Sequence, residues 1–233
     1  MSDVSWLALH GNLGSTEDWE GLGLANLHAV DLWEHTSLSF LEMAHELATT
    51  LSPQEERPIV AGYSLGGRLA LHAMAIHPRR WRGAVIASAH PGLPDASERE
   101  ARREVDREWA RKARETGWKD FLQAWNAQGV LAGSPVPGGQ AALEGRRAEL
   151  ALAFETWSLG RQENLRGALR GFFSPVLWIV GEEDGRFREI GSEMAEIFPD
   201  FTLAVIPGAG HRVLGTEAAG LMKEWATQLP AET

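Results

Sequence analysis

Short runs of apolar residues recur along the chain, and most are followed by a loop of glycine, serine or charged residues. Six runs have the pattern of strands, namely residues 5–9, 27–32, 58–61, 82–90, 175–181 and 201–206. Between them, apolar residues recur at helical spacing, most clearly in residues 39–51, 68–75 and 215–229. This alternation predicts an α/β fold with a mostly parallel, right-handed sheet of about six strands. Its binding site should lie beyond the C-terminal ends of the strands.

Residues 91–173 interrupt this alternation. Charged residues that favour helices dominate residues 97–115, and aromatic residues punctuate the rest without any run that indicates a strand. The segment is too long to be one crossover between parallel strands. We therefore expect a helical cap of residues 91–173, inserted into an α/β core of residues 1–90 and 174–233. A chain of 233 residues can bury one such core.

The charge and the cysteine count narrow the classes of partner and chemistry. The chain has 22 lysine and arginine residues against 32 aspartate and glutamate residues, a formal charge of −10. This charge disfavours sequence-independent binding to nucleic acid or to an anionic membrane. An anionic ligand would therefore have to be held by a local group of arginines. The chain has no cysteine, which excludes disulfides, thiolate metal ligands and a cysteine nucleophile.

The N-terminal stretch lacks a targeting pattern. Residues 1–5 contain no basic region followed by a long apolar run, and the chain nowhere approaches about 20 consecutive apolar residues. We expect a cytoplasmic protein without membrane contact. The sequence leaves open whether it is a monomer or a homo-oligomer.

The turn Gly62-Tyr63-Ser64-Leu65-Gly66-Gly67 joins a predicted strand to a predicted helix. Glycines two residues before and after Ser64 permit the tight backbone of a nucleophile elbow, in which the serine hydroxyl is exposed above the sheet. A G-x-S-x-G pattern can also arise by chance in a chain with 25 glycines. The strand before it and the helix after it favour the elbow.

Three candidate catalytic residues follow three different predicted strands. Ser64 is followed along the chain by Asp184 and then by His211, which is the order found in α/β-hydrolases. The imidazole would take the serine proton, and the carboxylate would fix the imidazole tautomer. Glu182 or Glu183 could replace Asp184, and His211 alone could be an ordinary polar loop residue. No residue pattern indicates a metal site.

An oxyanion hole needs two backbone N–H groups. One belongs to the residue after the nucleophile and the other to the loop after the first strand. Leu65 and Asn12 occupy these positions. Because the donors are backbone groups, we predict the hole from the positions and not from the side chains.

Arginines are the candidate ligands for a carboxylate. Arg68 lies one turn into the elbow helix, and Arg102 and Arg103 lie on the first predicted cap helix. The planar guanidinium group suits bidentate binding of carboxylates. Arg102 and Arg103 could each instead lie on a solvated helix face. For Arg68, carboxylate binding and a position without function are equally supported.

Three further polar residues adjoin the predicted site. Tyr63 is the only tyrosine of the chain and precedes the nucleophile, so it could donate to a substrate or pack beneath the turn. His90 ends a predicted strand at the same crevice. It could equally well take part in the pocket or be a capped residue of the loop. His10 lies in a His-Gly turn, where a structural role is favoured over proton transfer.

With these residues considered together, the chain resembles the 2-succinyl-6-hydroxy-2,4-cyclohexadiene-1-carboxylate synthase (MenH) family of α/β-hydrolases. The resemblance covers nearly the whole chain and follows the order of the family motifs. The matching stretches are Leu9-His10-Gly11-Asn12-Leu13-Gly14-Ser15, the elbow with Arg68-Leu69-Ala70, His90-Pro91-Gly92-Leu93, Arg102 with Asp106-Arg107-Glu108-Trp109-Ala110, Gly181-Glu182-Glu183-Asp184 with Phe187, and Ala209-Gly210-His211.

The resemblance implies a lyase without metal or organic cofactor. The family removes a proton from 2-succinyl-5-enolpyruvyl-6-hydroxy-3-cyclohexene-1-carboxylate, expels pyruvate, and acts in menaquinone biosynthesis. It assigns Ser64, Asp184 and His211 as the triad, with Tyr63, Arg68, Arg102 and Trp125 in substrate binding. A polycarboxylate substrate would explain why an acidic protein gathers arginines at one pocket.

Two positions depart from the family pattern or cannot be placed uniquely. Asn126 stands where an aromatic residue commonly follows Trp125. A further cap arginine corresponds to Arg146 or Arg147, of which we assign Arg147 to substrate binding. Other functions remain open, namely a serine hydrolase acting on an ester, a thioester or a carbon–carbon bond, or a binding protein that has lost catalysis.

Overall fold

The computed structural model describes residues 4–53 and 57–230. Residues 1–3, part of the N-terminal stretch considered above for targeting, lie outside the described residues. The six strands are β1 (Trp6–Leu9), β2 (Leu27–Val30), β3 (Ile59–Tyr63), β4 (Gly83–Ala87), β5 (Val176–Gly181) and β6 (Phe201–Ile206). They form one sheet in the order β2-β1-β3-β4-β5-β6, and every neighbouring pair is parallel. The predicted α/β class is confirmed.

Nine α-helices occur within the described ranges, eight of them before β6 and one after it. They are α1 (Glu17–Glu20), α2 (Phe40–Glu46), α3 (Leu65–Ile76), α4 (Ala96–Glu115), α5 (Trp118–Asn126), α6 (Arg147–Thr156), α7 (Arg166–Leu169), α8 (Gly185–Met194) and α9 (Thr216–Thr227). Ser39 caps α2 with the Glu42 carboxylate in a capping box. The predicted helix at 39–51 is therefore correct, although its last turn, Leu47–Leu51, is π-helical.

The alternation of side chains along the strands divides the core into two layers. On one face, Leu7, Leu9 and Val60 pack in a cluster that includes buried residues of α2 and α3. On the other face, Trp6 and Ile59 pack in a cluster with buried residues of α1 and α9. The sheet is thus covered on both sides, as the nearly continuous apolar strands require.

Helices α4 to α7 lie between β4 and β5 in the chain, within the predicted cap. Helix α4 is capped by Asp95, whose carboxylate accepts from the amides of Ser97 and Glu98. Buried aromatic residues of α5 and α6, including Trp125 and Phe154, belong to the same cluster as one face of the sheet. The assignment of 91–173 as a separate cap domain stays a prediction. No helix in residues 4–53 and 57–230 is long and apolar enough to span a membrane.

Candidate active site

The turn between β3 and α3 holds Ser64 in a strained backbone conformation. Its φ is +51° and its ψ is −108°, which is rare for a residue with a side chain. The flanking glycines are required by close backbone contacts. A Cβ at Gly62 would lie 2.4 Å from the Gly66 carbonyl oxygen, and one at Gly66 would lie 2.1 Å from the Leu9 carbonyl oxygen. The pattern at 62–66 therefore reflects a sterically constrained elbow and not a chance occurrence.

The structure brings together the three side chains predicted to form the triad. Ser64 Oγ lies 3.1 Å from His211 Nε2, and His211 Nδ1 lies 2.8 Å from Asp184 Oδ2. Asp184 and His211 are both buried. With Nδ1–H donating to the carboxylate, Nε2 is free to accept the serine proton. Phe187 packs against the imidazole with a ring-centroid distance of 4.6 Å, which restricts its movement.

Asp184, and not the neighbouring glutamates, reaches the imidazole. It is the N-cap residue of α8, where its Oδ1 accepts from the Phe187 amide. The cap bond orients the carboxylate and leaves Oδ2 for His211. Glu182 is exposed and its carboxylate accepts from the Gly208 amide, while Glu183 is exposed on the same loop.

The two predicted oxyanion-hole amides stand at suitable positions beside the nucleophile. Leu65 is the first residue of α3, and the first N–H groups of a helix have no acceptor inside that helix. Asn12 follows β1 and lines the same cavity as Ser64. The role of Asn12 and Leu65 as oxyanion donors stays a prediction.

Arg68 is buried beside the cavity that contains Ser64 and His211. Its Nη1 donates to the Trp157 carbonyl at 2.8 Å, and its guanidinium lies 5.7 Å from the centroid of the Phe40 ring. Burial, and then repulsion from Arg102, lowers the pKa of Arg68 to about 9. Arg68 is thus a cation at neutral pH that faces a cavity without a carboxylate partner among the described residues.

Arg102 reaches the cavity from α4 and is held by a buried carboxylate. Its Nε lies 2.9 Å from Asp106 Oδ1, and the other oxygen of Asp106 accepts from the Ser158 hydroxyl at 2.7 Å. The interaction leaves the two Nη groups of Arg102 without a bond to Asp106. Arg102 lines the cavity in this arrangement. Its role in substrate binding stays a prediction.

Tyr63 and Trp125 also line the cavity. The Tyr63 ring lies 5.8 Å from the His211 ring, and burial raises the pKa of its hydroxyl, so it stays protonated at physiological pH. Trp125 is buried between Trp109 and Phe154, with ring centroids at 5.1 and 5.2 Å. Their proposed roles in substrate binding stay predictions.

The two histidines of the predicted loops differ in position. His10 is fully buried, with its Nδ1 2.9 Å from the Gly11 carbonyl and its Nε2 accepting from the Leu32 amide. Burial lowers the pKa of His10 to about 4, so it acts as a structural link between loops, as favoured by its turn. His90 instead lines the cavity, where its Nδ1 accepts from the Gly92 amide.

The structure does not bring Arg147 to the cavity, and its assignment to substrate binding is corrected. Its guanidinium donates to the carbonyls of Ala113 and Thr116, so it ties α6 to the end of α4. Arg146 also points elsewhere, with its Nη2 3.2 Å from Asp31. Arg147 therefore contacts another helix of the predicted cap, and Arg146 contacts the loop after β2 in the core.

Two arginines absent from the sequence prediction line the cavity instead. Arg186 lies two residues after Asp184, and Arg212 follows His211. Arg212 donates to the Pro135 carbonyl at 3.0 Å and to the Asn126 side chain. The sequence could have indicated both arginines, because each lies on the same loop as a triad residue and can therefore reach the same pocket. No group of three or more metal-binding side chains occurs in the part of the chain that the structure describes.

Comparisons with known proteins show the family of the chain. The alpha/beta hydrolase family model matches residues 6–223. A 2-succinyl-6-hydroxy-2,4-cyclohexadiene-1-carboxylate synthase from Enterobacter sp. (strain 638) is 32% identical over 223 residues, which cover 88% of this chain and 84% of that protein. The synthase of the same name from Escherichia coli O1:K1 / APEC is 30% identical over 239 residues, covering 96% and 93%.

Solved structures share the fold. MenH from S. aureus superposes with a TM-score of 0.80 at 21% identity, covering 98% of this chain and 95% of that one. A malate-bound thermophilic esterase from Thermogutta terrifontis gives 0.76 at 19% identity, covering 98% and 91%. At these identities the two structures establish the fold alone. The family model and the relatives at 30% identity or above establish more: the chain belongs to the alpha/beta hydrolase family and, within it, to the 2-succinyl-6-hydroxy-2,4-cyclohexadiene-1-carboxylate synthases.

Proposed function

We propose that this enzyme eliminates pyruvate from 2-succinyl-5-enolpyruvyl-6-hydroxy-3-cyclohexene-1-carboxylate, with Ser64 as the proton acceptor. The positions of the double bonds define the reaction. The ring proton at C2 leaves, the C3–C4 double bond becomes a C2–C3 and C4–C5 diene, and the enolpyruvyl oxygen departs from C5. The departing enolpyruvate takes up a proton and becomes pyruvate, so atoms and charge balance.

The proton at C2 is acidic because it lies next to the ketone of the succinyl group. Removing it places negative charge on the ketone oxygen, as in an enolate. The predicted amide donors of Asn12 and Leu65 would stabilise that charge. Ser64 Oγ would accept the C2 proton while its own proton passes to His211 Nε2, and Asp184 would stabilise the resulting imidazolium.

The single observation on which this proposal depends is the continuous contact from Ser64 through His211 to Asp184, with Ser64 and His211 at the wall of an arginine-lined cavity. A serine hydroxyl is a weak base without such a chain, and the 3.1 and 2.8 Å contacts supply one. The arginines supply the charge that a polycarboxylate needs, although the chain as a whole carries a formal charge of −10.

The same triad supports a second candidate function, hydrolysis of an ester, thioester or carbon–carbon bond. Ser64 would then attack a carbonyl carbon and form an acyl-enzyme. Arg68 and Arg102 favour the elimination, because an apolar ester gives two cations at the cavity wall nothing to bind. The four cavity arginines would make an uncharged ester a poor ligand.

The experiment offers the purified protein the enolpyruvyl substrate and, separately, p-nitrophenyl butanoate. Pyruvate release is followed by a coupled NADH assay and the diene by its absorbance. We expect pyruvate and diene in equal amounts, and a loss in kcat of about 10³-fold or more in Ser64→Ala, because general-base catalysis contributes factors of that order. Ser192→Ala, an exposed serine on α8 whose hydroxyl donates to the Arg188 carbonyl, serves as the matched control.

Two outcomes would overturn the proposal. Rapid cleavage of the ester without pyruvate release from the enolpyruvyl substrate would identify a hydrolase. Near wild-type pyruvate release by Ser64→Ala would remove Ser64 from the mechanism even if the reaction itself were correct.

A further inference from the structure

Ser88 is an unusual residue at the edge of the active-site cavity. It follows β4 directly, and its φ of +44° places it in the left-handed region that residues with side chains rarely adopt. The side chain is fully buried, and its hydroxyl has no hydrogen-bond partner among the described residues. Ser88 also lines the cavity that contains Ser64. Backbone strain and a buried hydroxyl without a partner are both unfavourable, and both occur preferentially at ligand sites.

His90, two residues further on, lines the same cavity and carries a hydrogen-bond donor. Its Nδ1 accepts from the Gly92 amide at 3.0 Å, which leaves the proton of the neutral ring on Nε2. Burial, and then the charges of nearby arginines with Arg186 first, lowers the pKa of His90 to about 3. The ring is therefore neutral at physiological pH. The Gln162 amide donates to the His90 carbonyl and fixes the backbone.

Arg186 adds a cation to the same cavity. It lies in the first turn of α8, lines the cavity and is exposed. Within the described ranges it forms no ion pair, whereas Arg166 pairs with Glu193 across the same surface. The nearby Arg188 differs, because it donates to the Glu182 carbonyl. Arg186 thus has no acidic partner among the described residues, lines the same cavity as Ser88 and His90, and contributes to the lowered pKa of His90.

We propose that Ser88, His90 and Arg186 form a subsite that binds the carboxylate of one of the two side groups of the substrate, succinyl or enolpyruvyl. The three side chains offer a hydroxyl, an imidazole N–H and a guanidinium, and none of them needs to act as an acceptor there. A carboxylate accepts up to about four hydrogen bonds and matches such a set of donors. The subsite rests on the proposed function, since that function supplies a polycarboxylate substrate.

The position of the subsite gives it a distinct task. Ser88 follows β4 and Arg186 follows β5, whereas Arg68 and Arg102 reach the cavity from α3 and α4. Two carboxylates of one substrate held at two separate places fix its rotation relative to Ser64. Anchoring at a single place would leave the substrate free to turn, so the reacting C–H bond would meet Ser64 only part of the time.

Calorimetric titration tests the subsite without requiring turnover. The probes are 4-oxo-4-phenylbutanoate, which has the succinyl carboxylate, its neutral primary amide, and pyruvate, which has the carboxylate of the leaving group. The variants are Arg186→Gln and Ser88→Ala, with Arg188→Gln as the matched control on the same helix. We expect the Kd of one carboxylate to rise at least about tenfold in Arg186→Gln and about fivefold in Ser88→Ala, because a charge-assisted hydrogen bond is lost.

The identity of the affected probe tells which carboxylate the subsite holds. Weakened binding of 4-oxo-4-phenylbutanoate identifies the succinyl carboxylate, and weakened binding of pyruvate identifies that of the leaving group. The amide should bind all four proteins alike. Thermal unfolding adds a second readout: Ser88→Ala removes a buried hydroxyl without a partner, so a ligand-binding role predicts an unchanged or higher Tm, whereas a structural role predicts a lower one.

Unchanged Kd values for both carboxylates in Arg186→Gln and Ser88→Ala would overturn the subsite, as would an equal loss in Arg188→Gln. These results are separable from the proposed function. A wild-type protein that binds carboxylates through Arg186 but releases no pyruvate would refute the elimination and keep the subsite. A wild-type protein that releases pyruvate, together with variants whose carboxylate binding is unaltered, would support the elimination and refute the subsite.

Discussion

Arg68→Met should make the enzyme more stable and less active at the same time. The Arg68 side chain is 7% exposed and forms no ion pair in residues 4–53 and 57–230. Burial lowers its pKa from 12.5 to about 9, which corresponds to about 5 kcal/mol by which the folded state disfavours the cation. At pH 7 the group is charged in both the folded and the unfolded chain. The full cost is therefore present at neutral pH and diminishes only as the pH rises above about 9.

Methionine removes this cost but also removes two hydrogen bonds. Arg68 donates to the Trp157 carbonyl at 2.8 Å and to the Gln162 side chain at 3.4 Å. Leaving those acceptors unsatisfied costs about 1–3 kcal/mol for the shorter bond and less for the longer one. We expect the free energy of unfolding to rise by about 2 kcal/mol, which for a chain of this length raises the Tm by about 4–8 °C. Replacing a buried charge with an apolar group of similar size is often stabilising.

Activity should change in the opposite direction. Loss of one charge-assisted contact to a substrate carboxylate lowers kcat/KM by about 10- to 100-fold. Guanidinium chloride denaturation measures the first effect and pyruvate release the second. The control is Arg103→Met, since Arg103 pairs with Glu100, donates to the Gly160 carbonyl and lies outside the triad cavity. It should keep wild-type activity. Destabilisation of Arg68→Met by more than about 2 kcal/mol, or wild-type kcat/KM, would refute the reasoning.

Three other perturbations have definite expected outcomes. Asp184→Asn should lower kcat by about 10³-fold or more, because the amide no longer fixes the imidazole tautomer. The circular dichroism spectrum should change little, since the amide oxygen can still cap the helix. An active variant would contradict the triad. Burial lowers the pKa of His10 and His72 from 6.5 to about 4, so the unfolded chain binds more protons between these values. The free energy of unfolding should therefore fall as the pH drops from about 6.5 to about 4, by about 3 kcal/mol per histidine, and a flat urea-denaturation profile would contradict this. Asn126→Ala removes the side-chain acceptor of Arg212, which also donates to the Ser134 and Pro135 carbonyls. Hydrogen exchange of the Ser134 and Val136 amides should therefore increase, and KM should rise while kcat stays constant; unchanged exchange would exclude a role of Asn126 in holding this loop.

The sequence predicted the parts of the site that depend on the backbone. The elbow glycines, the six strands and the positions of Ser64, Asp184 and His211 follow from apolar runs, from helical spacing of apolar residues and from glycines that only a tight turn requires. The order of the strands in the sheet was not predicted. Parallel strands bring their C-terminal ends to one edge, so residues far apart in the chain converge there without further information. Asp184 could be distinguished from Glu182 only in three dimensions, because the cap bond to α8 orients its carboxylate.

The arginines were less predictable, for a physical reason. An arginine side chain has several rotatable bonds, so its Cα position restricts its guanidinium to a sphere of several ångströms and tertiary contacts select the direction. Arg147 meets carbonyls at the end of α4 and turns away from the cavity. Arg186 meets no acidic partner among the described residues and lines the cavity. The sequence supplied both residues but not the acceptors around them.

The choice between elimination and hydrolysis depends on which substrate atom the cavity holds beside Ser64. Hydrolysis requires a carbonyl carbon about 3 Å from Oγ, whereas elimination requires the C2–H bond there and the ketone oxygen, two bonds from C2, at the amide donors. The triad is the same in both cases, so the anchors must make the difference. An enzyme that loses one anchor should therefore lose elimination, which needs two fixed carboxylates, more than cleavage of a small uncharged ester, which needs none. We expect Arg68→Met and Arg186→Gln to lower pyruvate release at least about tenfold more than p-nitrophenyl acetate cleavage. Equal losses in the two assays would mean that these arginines support the triad itself and not the orientation of the substrate.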